Sequence, residues 1–169
     1  MADAPAKRVS IILGSDSDLA AMRPAGEVLE EFGVGYEVRV LSAHRSPGAV
    51  RELAARARAE GCRAIICGAG LAAHLAGAVA SETTLPVIGV PLESGALRGL
   101  DALLSTVQMP PGVPVATVGI GAARNAGLLA VQILATADER IARELDAFKR
   151  RLEEQVLEKD RRVREARGR

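Results

Sequence analysis

Short apolar runs alternate with amphipathic segments along most of this 169-residue chain, and no other feature limits the possible folds as strongly. A short apolar run bounded by turn residues is typical of a strand buried in a parallel sheet. Five such runs are present, at residues 9–14, 36–41, 63–68, 86–91 and 113–120.

The segments between these runs have the spacing of helices, each closed by glycine or a polar turn. They predict helices at residues 17–32, 47–59, 73–81, 97–108 and 123–135. Strands that alternate with helices predict an α/β fold, a three-layer open parallel sheet with helices on both faces and right-handed crossovers. Five strands are compatible with a flavodoxin-like order, although periodicity does not reveal the order itself.

The C-terminal segment has a different pattern, in which single apolar residues recur every three or four positions among charged residues. They are Ile141, Leu145, Phe148, Leu152 and Val156. This spacing predicts one long amphipathic helix. Because the strands and helices of residues 9–136 already complete one domain without it, we expect residues 137–169 to pack on a neighbouring subunit, with a frayed end from residue 161. The alternative is that the helix folds back on its own domain. Residues 1–8 are expected to be a flexible N-terminus.

Composition excludes several classes of protein. The net charge of +1 and the aromatic content of 2% argue against nucleic-acid binding. No apolar run reaches the roughly 18 residues of a membrane span, and the N-terminus has no signal-peptide pattern. We therefore expect a cytoplasmic protein, with Cys62 and Cys67 as reduced structural thiols whose spacing matches no metal site.

A pentapeptide, Ser42-Ala43-His44-Arg45-Ser46, lies between the second strand and the second helix. Ser46 and Pro47 are a helix-start pattern, in which the hydroxyl caps backbone N–H groups and proline occupies the first turn. Ligands bind at the carboxyl ends of strands in open α/β sheets. His44 is therefore a candidate proton-transfer group beside Arg45, a candidate anion clamp.

The turn after the first strand carries Ser15, Ser17 and Asp18. Hydroxyls and backbone N–H groups at a helix start suit a phosphate, whereas Asp18 would repel phosphate and suits sugar hydroxyls. The alternative is that Ser17 and Asp18 only cap the helix. The turn lacks G-x-G-x-x-G and the P-loop lysine, so neither a dinucleotide nor ATP is indicated.

The turn after the third strand contains Gly70, Leu71 and His74. Its small residues allow a flat ligand to approach the backbone, although His74 by itself could be structural. Three such turns should converge at one edge of the sheet. They predict proton transfer on a phosphorylated small molecule, with no bound cofactor and no metal. The polar segment 101–111 could be a lid or only a connector.

Five segments in colinear order resemble the 5-(carboxyamino)imidazole ribonucleotide mutases of purine biosynthesis. These segments are Gly14-Ser15-Asp16-Ser17-Asp18, Ser42 to Pro47, Gly68-Ala69-Gly70 with Ala72-Ala73-His74-Leu75, Leu104 to Pro110, and Asn125 to Ala130. The resemblance implies a flavodoxin-like subunit in a homo-octamer, with sites near subunit contacts. It also implies transfer of a carboxylate from the exocyclic nitrogen of the ribonucleotide to ring C4, through trapped carbon dioxide and without ATP, biotin or metal.

The same resemblance implies roles for the site residues. His44 would be the general acid/base. Ser15, Asp18 and Arg45 would bind the ribose phosphate portion, assisted by Ser17 and Ser42. His74 and Gly70 would line the pocket for the ring and the carboxylate.

Two alternatives remain. A related branch carboxylates aminoimidazole ribonucleotide directly, and it typically has Lys at the position of Arg45 and Ser-Asn at 73–74, so both positions here favour the mutase. A non-catalytic nucleotide-binding homologue is the other.

The chain also departs from the mutase pattern at three places. The family usually has Gly at Leu71, Pro at Ala76 and a longer turn near Gly121. Leucine does not adopt positive φ without strain, so Leu71 is expected to reshape the pocket. Arg124, near the shortened turn, is either a new anion contact or solvent-facing.

Overall fold

The computed structural model describes residues 7–167 and contains a five-stranded parallel sheet. Its strands are β1 (Lys7–Leu13), β2 (Gly35–Val40), β3 (Ala64–Ala69), β4 (Val87–Pro91) and β5 (Ala116–Thr117). The spatial order is β2-β1-β3-β4-β5. This is the flavodoxin-like order, which confirms the predicted α/β class.

Helices cover both faces of the sheet. They are α1 (Leu19–Glu31), α2 (Pro47–Ala57), α3 (Leu75–Ala80), α4 (Leu100–Val107), α5 (Ala123–Ala135) and α6 (Glu139–Arg167). A 3-10 turn at Asp16–Asp18 precedes α1. The first α-helix therefore begins at Leu19, two residues after the predicted start at residue 17. Helix α4 begins after the predicted residue 97 because Arg98 and Gly99 have φ of +49° and +88°, which no α-helix accommodates.

The side chains of β1 alternate between two apolar layers. Val9, Ile11 and Leu13 pack in the layer that contains α1 and α5, whereas Ile12 packs in the layer that contains α2 and α3. This alternation of a strand buried on both faces produces the three predicted layers. Cys62 and Cys67 are buried and unbonded to each other, as predicted.

The fifth strand is much shorter than predicted. Only Ala116 and Thr117 pair with β4, opposite Ile88 and Gly89. Pro114 has no N–H to donate to a sheet, which confines regular pairing to residues beyond it. The N–H of Val118 still donates to the carbonyl of Gly89.

Helix α6 divides its apolar residues between its own domain and its outer surface. Ile141, Leu145 and Phe148 are buried, and the ring of Phe148 packs edge-on against Phe32 with centroids 5.8 Å apart. The prediction that this helix is free to pack on a neighbour is therefore wrong for its first half, which buries apolar area against α5. Beyond that point the apolar side chains are exposed, and Val156 is 63% accessible.

The two ends of the described range, residues 7–8 and 161–167, are more regular than the sequence predicted. Helix α6 continues through Arg167, so residues 161–167 are helical rather than frayed, and residues 168 and 169 lie outside the described part. At the other end, Lys7 and Arg8 belong to β1, whereas the sequence analysis placed them in a flexible N-terminus. The rest of that predicted segment, residues 1–6, lies outside the described residues. Arg8 donates to Asp138 at 2.6 Å, and Asp138 accepts the N–H of Ile141 at the start of α6.

Candidate active site

An open cavity of about 720 Å³ lies at the carboxyl ends of the first four strands. The structure brings together along its wall all nine residues that the sequence predicted for the site. These are Ser15, Ser17, Asp18, Ser42, His44, Arg45, Gly70, Leu71 and His74. They meet because β2, β1 and β3 are neighbours in the sheet, and their following loops leave from the same edge.

The first loop is organised by a reciprocal cap. The hydroxyl of Ser15 accepts the N–H of Ser17, and the carboxylate of Asp18 accepts the N–H of Ser15 at 3.1 Å. Ser15 and Asp18 therefore form a capping box at the start of the 3-10 turn, and Ser17 is not the cap. Burial raises the pKa of Asp18, although its hydrogen bonds and Arg45 oppose the shift. The hydroxyls of Ser15 and Ser17 lie 2.9 Å apart.

The second loop closes on itself through Ser46. Its hydroxyl accepts the N–H of Ser42 at 2.9 Å and donates to the carbonyl of Ser42 at 3.1 Å. Ser46 makes no side-chain bond to the start of α2, so the prediction that its hydroxyl caps this helix is wrong. Pro47 is the first residue of α2, as predicted. The hydroxyl instead braces the loop that carries His44 and Arg45.

Arg45 connects the second loop to the first. One guanidinium nitrogen donates to the carbonyl of Gly14 at 2.9 Å. A guanidinium has five N–H donors, so this bond leaves others for an anion. The sequence had assigned Arg45 to ligand alone, and the structure adds a structural bond between the two loops.

His44 and His74 are hydrogen-bonded across the cavity. Nε2 of His44 lies 2.9 Å from Nδ1 of His74, and the two rings are inclined by 75°. Both side chains are exposed to the cavity rather than enclosed in the core. His74 therefore belongs to the cavity wall and contacts a second predicted site residue.

Leu71 has a left-handed backbone with φ of +54°, and its side chain is 54% exposed. This conformation costs a residue with a Cβ about 1–2 kcal/mol. The neighbouring Gly70 is needed for close packing, because a Cβ there would lie 3.0 Å from the Cβ of Ser94. The loop after β3, which carries Gly70, therefore lies against the loop after β4, which carries Ser94, beside the two histidines.

The sequence analysis missed the fourth loop, whose Glu93 and Ser94 also line the cavity. Both follow β4, so the rule that led to the first three loops would have found them had it been applied to the fourth strand. The polar segment 101–111, a possible lid in the sequence analysis, contributes no residue to the cavity wall. Its residues 101–107 are part of helix α4. Arg124 lies elsewhere, paired with Glu31 at 3.1 Å.

Within residues 7–167, no three His, Cys, Asp or Glu side chains are grouped as metal ligands would be. None of the helices described there is long and apolar enough to cross a bilayer.

Residues 8–155 match the family model described as AIR carboxylase. The chain belongs to this family. N5-carboxyaminoimidazole ribonucleotide mutase of Thermotoga maritima is 55% identical to it, over 92% of this chain and 91% of that protein. The enzyme of the same name from Bacillus subtilis is 55% identical over 89% of this chain and 94% of its own length.

Solved structures of the AIR carboxylase family share the fold. The crystal structure of Treponema denticola PurE superposes with a TM-score of 0.83 and 28% identity, covering 91% of this chain and 96% of that one. A variant of PurE2 from the same organism gives a TM-score of 0.82 at the same identity and coverage. The family resemblance inferred from five motifs is therefore confirmed over most of the chain.

Proposed function

We propose that this chain is an N5-carboxyaminoimidazole ribonucleotide mutase, an isomerase of purine biosynthesis. It moves the carboxylate from the exocyclic nitrogen of the ribonucleotide to C4 of the imidazole ring. Relatives about 55% identical over most of their length have this name. The observation that carries the proposal is the position of His44, in a cavity beside an arginine and several hydroxyls.

His44 is the general acid/base in this proposal. The exocyclic nitrogen gains a proton when the carboxylate leaves, and C4 loses a proton when it accepts the carboxylate. One group that gives and then takes a proton leaves the enzyme unchanged at the end of a turnover. An imidazole does this near neutral pH because both of its protonation states are accessible there.

The ribose phosphate portion is assigned to the side of the cavity formed by the first two loops. Arg45 supplies positive charge there, and Ser15, Ser17 and Ser42 supply hydroxyls. Asp18 is assigned to a ribose hydroxyl, because a carboxylate repels phosphate. The imidazole ring and its carboxylate are then assigned to the wall of Gly70, Leu71 and His74.

No cofactor enters the proposed reaction. The substrate already carries the carboxylate, and the transfer changes no oxidation state, so the balance needs no activating nucleotide, oxidant or reductant. Carbon dioxide released beside the ring must be kept near C4, since a trapped reactant reacts at far higher effective concentration than one in solution. The small residues Ala69, Gly70 and Ala72 leave room for it in the wall.

We also propose that the enzyme is a homo-octamer in the cytoplasm. The location accords with two unpaired buried cysteines, since disulfides are rare there. The assembly is supported by an apolar row that we call the α4 stripe, Leu97, Leu100, Leu104 and Val107. Each of its members is about half exposed, from 49% to 59%. A row of exposed apolar residues of this kind indicates an interface.

The function is tested by following the conversion of N5-carboxyaminoimidazole ribonucleotide by the wild-type chain and by His44→Asn. We expect turnover to fall by about 10²–10⁴-fold, the usual contribution of acid/base catalysis, with nucleotide binding retained by calorimetry. Arg124→Ala, outside the cavity, is the control and should keep full turnover. If His44→Asn kept most of the wild-type activity, His44 would not be the general acid/base.

The same protein separates the alternatives. Carboxylation of aminoimidazole ribonucleotide with bicarbonate, faster than isomerisation of the carboxyamino substrate, would identify a direct carboxylase. Tight binding of nucleotide without conversion of either substrate would identify a non-catalytic homologue.

A further inference from the structure

We infer that Leu71 is a specificity-determining residue of the cavity, an apolar cover that keeps released carbon dioxide beside the ring. It determines how much of the substrate is isomerised and how much only loses its carboxylate. The inference rests on the proposed mutase function, because only a reaction that releases carbon dioxide inside the cavity needs such a cover. The contacts and the backbone of Leu71 carry it.

The side chain of Leu71 bridges two loops of the cavity. A Cβ on Gly70 would lie 3.0 Å from the Cβ of Ser94, so the loops after β3 and β4 touch there. One residue further along both loops, a Cβ on Gly95 would lie 3.3 Å from Cδ2 of Leu71. The leucine side chain therefore extends the contact between the two loops beyond the Gly70–Ser94 approach.

The backbone of Leu71 is strained where the side chain has this position. Its φ of +54° is left-handed, a conformation that costs a residue with a Cβ about 1–2 kcal/mol. Such strain is concentrated at ligand sites, where the surrounding structure holds it in place. About half of the side chain remains exposed, so packing within the subunit does not explain why a leucine is present. A role at the cavity does.

Leu71 presents the largest apolar surface to the cavity. Among the described residues that line it, only Leu71 and Leu75 have apolar side chains larger than a methyl group, and Leu75 is 2% exposed. The rest of the wall consists of small residues and polar or charged side chains. Carbon dioxide has no net charge and no net dipole, so dispersion contacts with an apolar side chain suit it better than hydrogen bonds do.

Released carbon dioxide has two possible fates. When the bond between the exocyclic nitrogen and the carboxylate carbon breaks, its electron pair stays on the nitrogen, which gains a proton. Carbon dioxide then either bonds to C4, which loses its own proton, or escapes and leaves aminoimidazole ribonucleotide behind. A cover changes the ratio of escape to capture rather than the first bond-breaking step. Leu71 therefore acts on the yield of the isomerised product.

The ratio of escape to capture is measured with an isotopic carbon label in the carboxylate of N5-carboxyaminoimidazole ribonucleotide. Unlabelled bicarbonate and carbonic anhydrase in the buffer dilute any carbon dioxide that escapes. Mass spectrometry then gives the label kept in the C4 carboxylate, after subtraction of the loss without enzyme. We expect the wild type to keep most of the label and Leu71→Gly to raise the ratio about tenfold, as expected for a missing apolar group in a pocket. Equal ratios would overturn the inference.

A second variant separates the cover from the backbone, because Leu71→Gly also frees the loop that carries His74. Leu71→Asn has a side chain of similar size and tolerates a left-handed backbone, but its amide is polar and hydrated. We expect Leu71→Asn to raise the ratio as well, and Leu71→Met, which is apolar, to raise it less. Arg124→Ala, outside the cavity, should keep the wild-type ratio. Label retention in Leu71→Asn equal to that of the wild type would overturn the inference.

The two hypotheses fail in different ways. A wild-type chain that isomerises the substrate with the same label retention as Leu71→Gly would keep the mutase function and remove the role of Leu71. A wild-type chain that forms no C4-carboxylated product would remove the mutase function and, with it, this inference.

Discussion

Leu71 has a backbone conformation that suits glycine rather than a residue with a Cβ. Its φ of +54° is in the left-handed region, where glycine has no steric penalty, and half of its side chain is exposed. Because about half of the side chain stays exposed in the isolated subunit, Leu71 gains only part of the stabilisation of a buried leucine. The strain is therefore only partly offset by the contacts of Leu71 within its own domain.

Replacement of Leu71 by glycine should stabilise the fold. Relief of about 1–2 kcal/mol of strain exceeds the extra entropy lost by glycine, about 0.5–1 kcal/mol, so a net gain of up to about 1.5 kcal/mol is expected. Thermal unfolding at one protein concentration measures it. Leu71→Ala, which keeps the strain, is the matched control and should show no gain. A Leu71→Gly protein that melts below the wild type would contradict this account.

At the scale of single residues, membership of the cavity could be predicted but hydrogen-bond partners could not. Ser42, His44 and Arg45 follow a recognisable strand, so their place at the sheet edge follows from sequence order. The bond from Arg45 to Gly14 and the bond between His44 and His74 join loops 31 and 30 residues apart. Sequence spacing contains no information about such contacts, because the sheet order decides which loops are neighbours.

Helices α1 and α5 approach closely at Gly127. A Cβ at this position would lie 2.8 Å from the carbonyl oxygen of Ala25 and 3.0 Å from the Cβ of Val28. The first of these atoms belongs to the backbone, so it cannot move without shifting the helix. Gly48, in α2, has no atom within 4 Å of the corresponding position.

These two helical glycines should respond oppositely to alanine. Gly127→Ala should lower the free energy of unfolding by about 1–3 kcal/mol, the usual cost of overpacking. Gly48→Ala should raise it by up to about 1 kcal/mol, because alanine favours a helix more than glycine does. Thermal melts of both variants measure the effects, and a change of the same sign in both would refute the packing argument.

At the scale of elements, the long periodic segments were predicted well, but the ends of some elements were not. Helix α5 has the predicted bounds, Ala123–Ala135, whereas α4 begins late and β5 is reduced to two residues. The left-handed backbone of Arg98, which delays the start of α4, has no signal in local propensity. The short pairing of β5 follows instead from Pro114, whose effect the sequence prediction left out.

For the whole molecule, the α4 stripe and the outer half of α6 are two exposed apolar surfaces of the described subunit. Leu104 lies in the middle of the stripe and is 49% exposed. A charge placed there would have to be desolvated in an interface, which is costly unless it finds a partner.

Leu104→Glu should therefore break the proposed octamer into smaller species. Size-exclusion chromatography with light scattering measures the mass, and far-UV circular dichroism checks that the subunit stays folded. Ala55→Glu, at an exposed position of α2, is the control and should keep the wild-type mass. A wild-type chain that runs as a stable monomer would refute the assembly.

The sequence by itself determined the α/β class, the long last helix and the group of loop residues that line the cavity. These follow from hydrophobic periodicity and from chain order, which are local properties. Only the tertiary structure decided that the first half of α6 packs on its own domain, that Ser46 braces its loop, and that two distant histidines share a hydrogen bond. Each of these depends on distances between segments far apart in the chain, and such distances are set by the packed sheet.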